Sequence, residues 1–196
     1  AKVEAFIPDW KVDFVDKAGE NREVCEKLME VLTDKDRIDA KPAVLKSHVE
    51  AALQLKAAYP EKIYYSYVLN PRIFNEVMTD YRGAVEAAFT EDEKTAFRQE
   101  PKKIWSWIEA NIALCPEAEQ ESVYFVPAAS LEMRKSSELS RKILFVAIAR
   151  TFGIPARLNP MDGAMEYLMP DPAKQGADAY ADSRFQAVIE GKTKES

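Results

Sequence analysis

The stretch SELSRKILFVAIARTFGIPARLNP, residues 137–160, decides the fold. Its first two-thirds are apolar almost all round, with Leu139, Ile143, Leu144, Phe145, Val146, Ala147, Ile148, Ala149 and Phe152 leaving no clean polar face. A helix with that pattern is covered on most sides, so the spacing predicts a central helix over 138–152. Ser136 or Ser137 can cap its first turn. Gly153 can take a positive φ and reverse the chain, and Pro155 stops the helix from resuming. The start of such a helix carries the positive end of the backbone dipole, which suits a reactive thiolate. No cysteine stands there, and periodicity by itself favours a plain core helix.

Working outward, NREVCEKLMEVL (21–32) places Val24, Leu28, Val31 and Leu32 on one helical face. AKPAVLKSHVEAALQLKAAY (40–59) reads as a second helix, with Pro42 suited to its first turn and Pro60 ending it. IYYSYVLNPRI (63–73) is aromatic and β-branched, which fits either a short strand or an irregular lead-in to the next helix, expected over 74–89 with Gly83 as its weak point. Thr90 and Glu93 match a capping box. Pro101 opens a helix over 102–113 whose Ile104, Trp105, Ile108 and Ile112 share a stripe. Residues 115–122 read as a loop, and 123–134 as short extended pieces around Pro127. ARL and MEYLM are strand candidates joined by the turn NPMDG, and residues 183–196 can begin one more strand. The first ten residues, with Pro8, read as an extended lead-in.

With 196 residues, 47% of them hydrophobic, the chain can bury a proper core. A net charge of −6 argues against nucleic acid as the main partner, because phosphate binding needs clustered Lys and Arg. No apolar run is long enough for a membrane span. Cys25 and Cys115 fit one disulfide or two buried thiols. No pair of His and Cys has metal-ligand spacing, DPAKQGADAYAD lacks the pattern of a calcium loop, and no glycine-rich phosphate loop occurs. No cofactor or metal is expected.

The residues of the opening stretch say more than their periodicity. Ala149-Arg150-Thr151-Phe152-Gly153-Ile154-Pro155-Ala156-Arg157 strongly resembles the transglutaminase-like superfamily, which has a papain-like core. YVLNPRI, DYR, EPKKIWSWIEANI and PAASLEMRKSSELSRKILF resemble a secreted bacterial branch of it, so the likeness covers about residues 65 to 160. The resemblance implies an α+β fold: a mainly helical N-terminal lobe, a central buried helix, and a small antiparallel sheet that the chain is expected to leave incomplete. It divides the chain into a helical region, 1–62, and a transglutaminase-like core, 63–196, truncated at its C-terminal end. Export is expected from the family branch and from the start at Ala1 rather than Met.

The family's chemistry is acyl transfer, in which a Cys attacks an amide, a His shuttles the proton and an Asp orients the His. By the family's spacing the nucleophile position falls on Glu138, which is no substitute for a thiolate. The family's His follows the central helix, yet the sole histidine here is His48. Ser136, Ser137 and Ser140 lie near the helix start, but no base accompanies them, so capping is the better reading. Arg134 and Arg141 flank that start and can pair with Glu138 as a structural ion pair or hold a carboxylate ligand. Trp105, Trp107, Tyr124 and Tyr167 can line a groove, with Trp107 the more exposed indole. The expectation is therefore a non-catalytic binding module whose site draws on Glu138, Ser137, Arg134, Arg141 and Trp107, and whose partner is a peptide, a glycan or a neighbouring domain. The alternative is the N-terminal part of an enzyme acting on amide bonds, with its remaining catalytic residues outside this chain.

Overall fold

The computed structural model describes residues 7–116 and 125–190. The chain is α+β and mostly helical. Helices α1 (Lys11–Asp16), α2 (Arg22–Val31), α3 (Asp34–Asp39) and α4 (Pro42–Ala52) form an N-terminal lobe. Pro42 occupies the first turn of α4, where its missing N–H costs nothing. A 3-10 stretch, Leu53–Ala58, leads to α5 (Glu61–Ile63), which runs into a π-helical turn, Tyr64–Leu69. Then come α6 (Arg82–Ala88), α7 (Glu91–Gln99), α8 (Lys102–Asn111), α9 (Pro127–Met133) and α10 (Glu138–Thr151).

Two small sheets complete the fold. Strands β1 (Ala113–Leu114) and β2 (Lys135–Ser136) pair in parallel. Strands β3 (Ala156–Leu158), β4 (Met165–Tyr167) and β5 (Gln186–Ala187) form an antiparallel sheet in the order β3-β4-β5. Across it Arg157 faces Glu166, and Arg157 Nε donates to the Glu166 carboxylate at 2.9 Å.

α10 is the axis of the larger core. Ile143 through Ala149 are fully buried, and Ile104 and Ile108 of α8, Val85 of α6 and Leu131 of α9 belong to the same cluster. Ser137 caps α10 by accepting from Ser140 N at 3.1 Å. At the far end Gly153 has φ +80, and Ile154 N returns to Ala149 O at 2.8 Å, closing the helix with a reversal. This larger cluster runs from Tyr81 to Val188, and a second runs from Val15 to Met78.

Three segments depart from the sequence expectation. Residues 63–69 are helical, because Tyr64, Tyr65, Val68 and Leu69 all turn inward onto the N-terminal core. The helix expected over 74–89 begins only at Arg82. Before it, the Glu76 carboxylate accepts from the backbone N–H of Ile73 and Phe74, both at 2.8 Å, while Arg72 pairs with Asp36 and Asp39 of α3, both at 2.9 Å. Those side-chain bonds hold the backbone of 70–78 in a non-helical path. Pro127 opens α9 instead of interrupting extended chain, since its fixed φ suits a first helical turn. Residues 117–122 of the loop expected at 115–122, Val123 and Tyr124 of the expected extended pieces, residues 1–6 of the expected lead-in and the segment 191–196 lie outside the described residues.

Candidate functional site at the start of the central helix

Four serines from three elements surround the start of α10. Ser130, Ser136, Ser137 and Ser140 are all buried. Ser137 Oγ accepts from Ser140 N and donates to Ser140 Oγ at 2.8 Å, and Ser140 Oγ in turn accepts from Phe125 N at 2.9 Å. The hydroxyls of Ser130 and Ser136 bond each other at 2.9 Å. Each hydroxyl has a structural partner, and none of those partners is a base. Ser137 therefore works as a cap.

Glu138 occupies the first helical position and is exposed, which the helix dipole favours. Among the described residues no ion pair joins it to Arg134, Arg141 or Lys142. Arg141 takes a different course. It is 8% exposed, its guanidinium stacks on Trp105 of α8 at 5.2 Å, and its buried Nε has no hydrogen-bond partner. Arg134 closes α9 with a left-handed φ of 54 and lies over Trp107 at 5.1 Å. Trp105 and Trp107 are both half-buried, so neither is the freely exposed indole. They stand about 200° apart around α8, on opposite flanks of the stripe formed by Ile104 and Ile108. The structure thus gathers Ser137, Glu138 and Arg141 at one end of α10. It carries Arg134 and Trp107 to the other flank of α8. Tyr167 is buried in the core beside β3 and cannot line a groove.

Sequence reasoning missed Cys115. Its N–H donates to Ser136 O at 3.0 Å, so it is buried beside the strand that leads into α10. Only the parallel pairing of β1 with β2 brings it there, and two-residue strands leave no periodic signal. Cys25 lies in the N-terminal core, where burial raises its pKa, so the two cysteines are separate buried thiols.

His48 is fully buried between the two cores. Arg82 Nε can only donate, and it reaches His48 Nδ1 at 2.8 Å. That assigns the remaining proton to Nε2, which donates to Thr79 O at 2.8 Å. Burial, then the neighbouring Arg82 charge, push its pKa down to about 3, so the ring is neutral. With both nitrogens engaged it is a structural residue rather than a base.

Arg82 and Arg150 form the rest of that seam. Arg82 also donates to the carbonyls of Val68, Leu69 and Arg150, the last two at 3.2 and 3.1 Å. Arg150 donates to Ala156 O at 3.0 Å, Asn70 O at 2.7 Å and Arg72 O at 2.8 Å. Backbone carbonyls, not carboxylates, hold these two buried cations, and burial lowers the pKa of Arg150 to about 10. Four of these carbonyls, those of Val68, Leu69, Asn70 and Arg72, come from the end of the π-helical turn and the chain after it, where orphan acceptors gather.

A cavity of about 420 Å³ lies elsewhere, in the N-terminal lobe between α1, α2 and α4, lined by Trp10, Phe14, Cys25 and Val49. Among the described residues no group of three His, Cys, Asp or Glu side chains is placed to hold a metal ion, and no helix is long and apolar enough to cross a membrane. No family model, curated protein or solved structure matches this chain.

Proposed function

We propose that the chain is a non-catalytic domain of the transglutaminase-like kind, acting as a binding module in a larger exported protein. Its partner, a peptide, a glycan or a neighbouring domain, presents a carboxylate to Arg141 at the start of α10. The observation that carries this reading is the Arg141 guanidinium, held against Trp105 and paired with no carboxylate among the described residues. An Arg side chain fixed over a ring presents a preorganised guanidinium edge, and a bidentate carboxylate is the ligand that fits such an edge. The positive end of α10 favours the same charge. The catalytic reading lacks support at the same place: Glu138 stands where a nucleophile belongs, Ser137 is a cap, and His48 is locked in the seam.

Indole fluorescence tests the reading, because a carboxylate reaching Arg141 alters the environment of Trp105. Titration with butyrate is expected to give a saturable change that Arg141→Met abolishes. No amide hydrolysis or amine incorporation should accompany it. Wild-type turnover that disappears in Ser137→Ala or Glu138→Ala would overturn the proposal. One observation favours the enzymatic alternative, namely that the backbone of Cys115 bonds Ser136, just before the start of α10. Turnover lost in Cys115→Ala would establish it.

A further inference from the structure

A cavity of about 260 Å³ opens beside the reversal that ends α10. Tyr59, Phe152, Leu168, Met169 and Tyr180 wall it, and Arg98 of α7 stands among them. Among the described residues that line it, Arg98 alone carries a charge. Arg98 Nε donates to Phe152 O at 3.0 Å, and the Tyr59 hydroxyl donates to Gly153 O. These carbonyls lie at the end of α10, where helical donors run out, so they are free to fix the two side chains. The Arg98 guanidinium carbon sits 5.8 Å from the centre of the Phe152 ring. Its terminal nitrogens, Nη1 and Nη2, have no hydrogen-bond or ion-pair partner among the described residues, and Glu86 and Glu91 are committed to Lys94 at 2.7 and 2.8 Å. Tyr59 and Tyr180 meet ring to ring at 5.1 Å. Burial raises the pKa of both phenols, that of Tyr180 to about 12, so neither adds a negative charge to the cavity.

We infer that this cavity binds a small aromatic carboxylate, with the carboxylate on the Nη1–Nη2 edge of Arg98 and the ring against Tyr180, Leu168 and Met169. A guanidinium held by its Nε and by a ring is a preorganised fork, and one carboxylate matches it in charge and in geometry. No second charge lines the walls, so a dianion or a zwitterion would bury a charge without a counterpart. Aromatic walls favour a ring in the ligand, through edge or offset contact. Apolar walls with one or two polar groups are the usual make-up of a small-molecule site, and this one lies just below the roughly 300–1,000 Å³ of sites for drug-sized ligands. A ligand of phenylacetate size suits it. The site is at the other end of α10 from Arg141 and stands independently of the role proposed for that residue.

Amide chemical-shift mapping on the isotope-labelled chain, titrated with phenylacetate, phenylacetamide and acetate, tests the inference. Phenylacetate is expected to give saturable shifts at Gly153, Ile154, Leu168, Met169 and Tyr180, and to bind at least about ten-fold more tightly than phenylacetamide or acetate. Arg98→Gln should reduce phenylacetate to the affinity of phenylacetamide. Should that variant fail to fold, the wild-type shift map and the order of the three ligands still decide. Equal affinity for phenylacetate and phenylacetamide overturns the inference. Shifts confined to the start of α10 overturn it too, while supporting the carboxylate site proposed at Arg141. Absence of saturable shifts around Gly153 overturns it outright.

Discussion

The His48 imidazole turns one buried hydrogen-bond pair into a pH dependence of the whole fold. Its pKa is depressed to about 3 when folded, from an ordinary value of 6.5. Between those values the unfolded chain binds a proton that the folded chain refuses, so stability rises with pH. The contribution is full above pH 6.5 and is lost as pH falls toward 3, at about 1.4 kcal/mol per pH unit once the unfolded ring is mostly charged. Urea unfolding at pH 4, 5, 6 and 7 should show a slope that His48→Gln flattens. An unchanged slope would mean that carboxylates elsewhere dominate the acid response. Gly153 is the other position where one residue type is required. It has φ +80, and a Cβ there would stand 2.7 Å from the Tyr59 hydroxyl, which donates to Gly153 O. Gly153→Ala should therefore cost about 1–2 kcal/mol from the backbone conformation, and more from the clash. Combining it with Tyr59→Phe should relieve part of that loss, visible as non-additive urea midpoints.

At the scale of elements, legibility followed how far a signal was local. α10 was readable because an all-apolar pattern, a serine cap and Gly153-Ile154-Pro155 all sit within one stretch. The capping box of α7, Thr90 with Glu93, was equally local. The π-helical turn over 64–69 was not, because its aromatic and β-branched residues fit a short strand or an irregular lead-in equally until they have the N-terminal core to pack against. The start of α6 was obscured by distant partners, since Arg72 must reach Asp36 and Asp39 before residues 70–78 take their path. The cage around Arg82 and Arg150 has the same long-range character. Arg82→Met should cost about 3–5 kcal/mol, because it leaves a buried imidazole nitrogen and two carbonyls without donors. Arg150→Met should cost a similar amount, and thermal melts of both would measure it.

Across the whole molecule, the candidate site was partly legible. Glu138, Ser137 and Arg141 belong to one helical turn, so their proximity follows from spacing alone. The departure of Arg134 and Trp107 to the opposite flank of α8 depends on how α8 and α9 pack around α10, and no local pattern encodes that. The nearness of Cys115 depends on the β1–β2 pairing in the same way. A thiol at the helix start would not restore acyl transfer. Glu138→Cys is expected to be labelled readily by iodoacetamide yet to give no detectable amine incorporation, because His48 is committed to Arg82 and Thr79. Measurable incorporation by that variant would show that a base is available outside the described residues. The buried cations also govern how the molecule can come apart. Arg82 and Arg150 tie α10 to the last turn of the N-terminal lobe. Neither lobe can open without stranding a charge, so amide protons in α4 and α10 should exchange with deuterium at one common free energy, as a single cooperative unit rather than two.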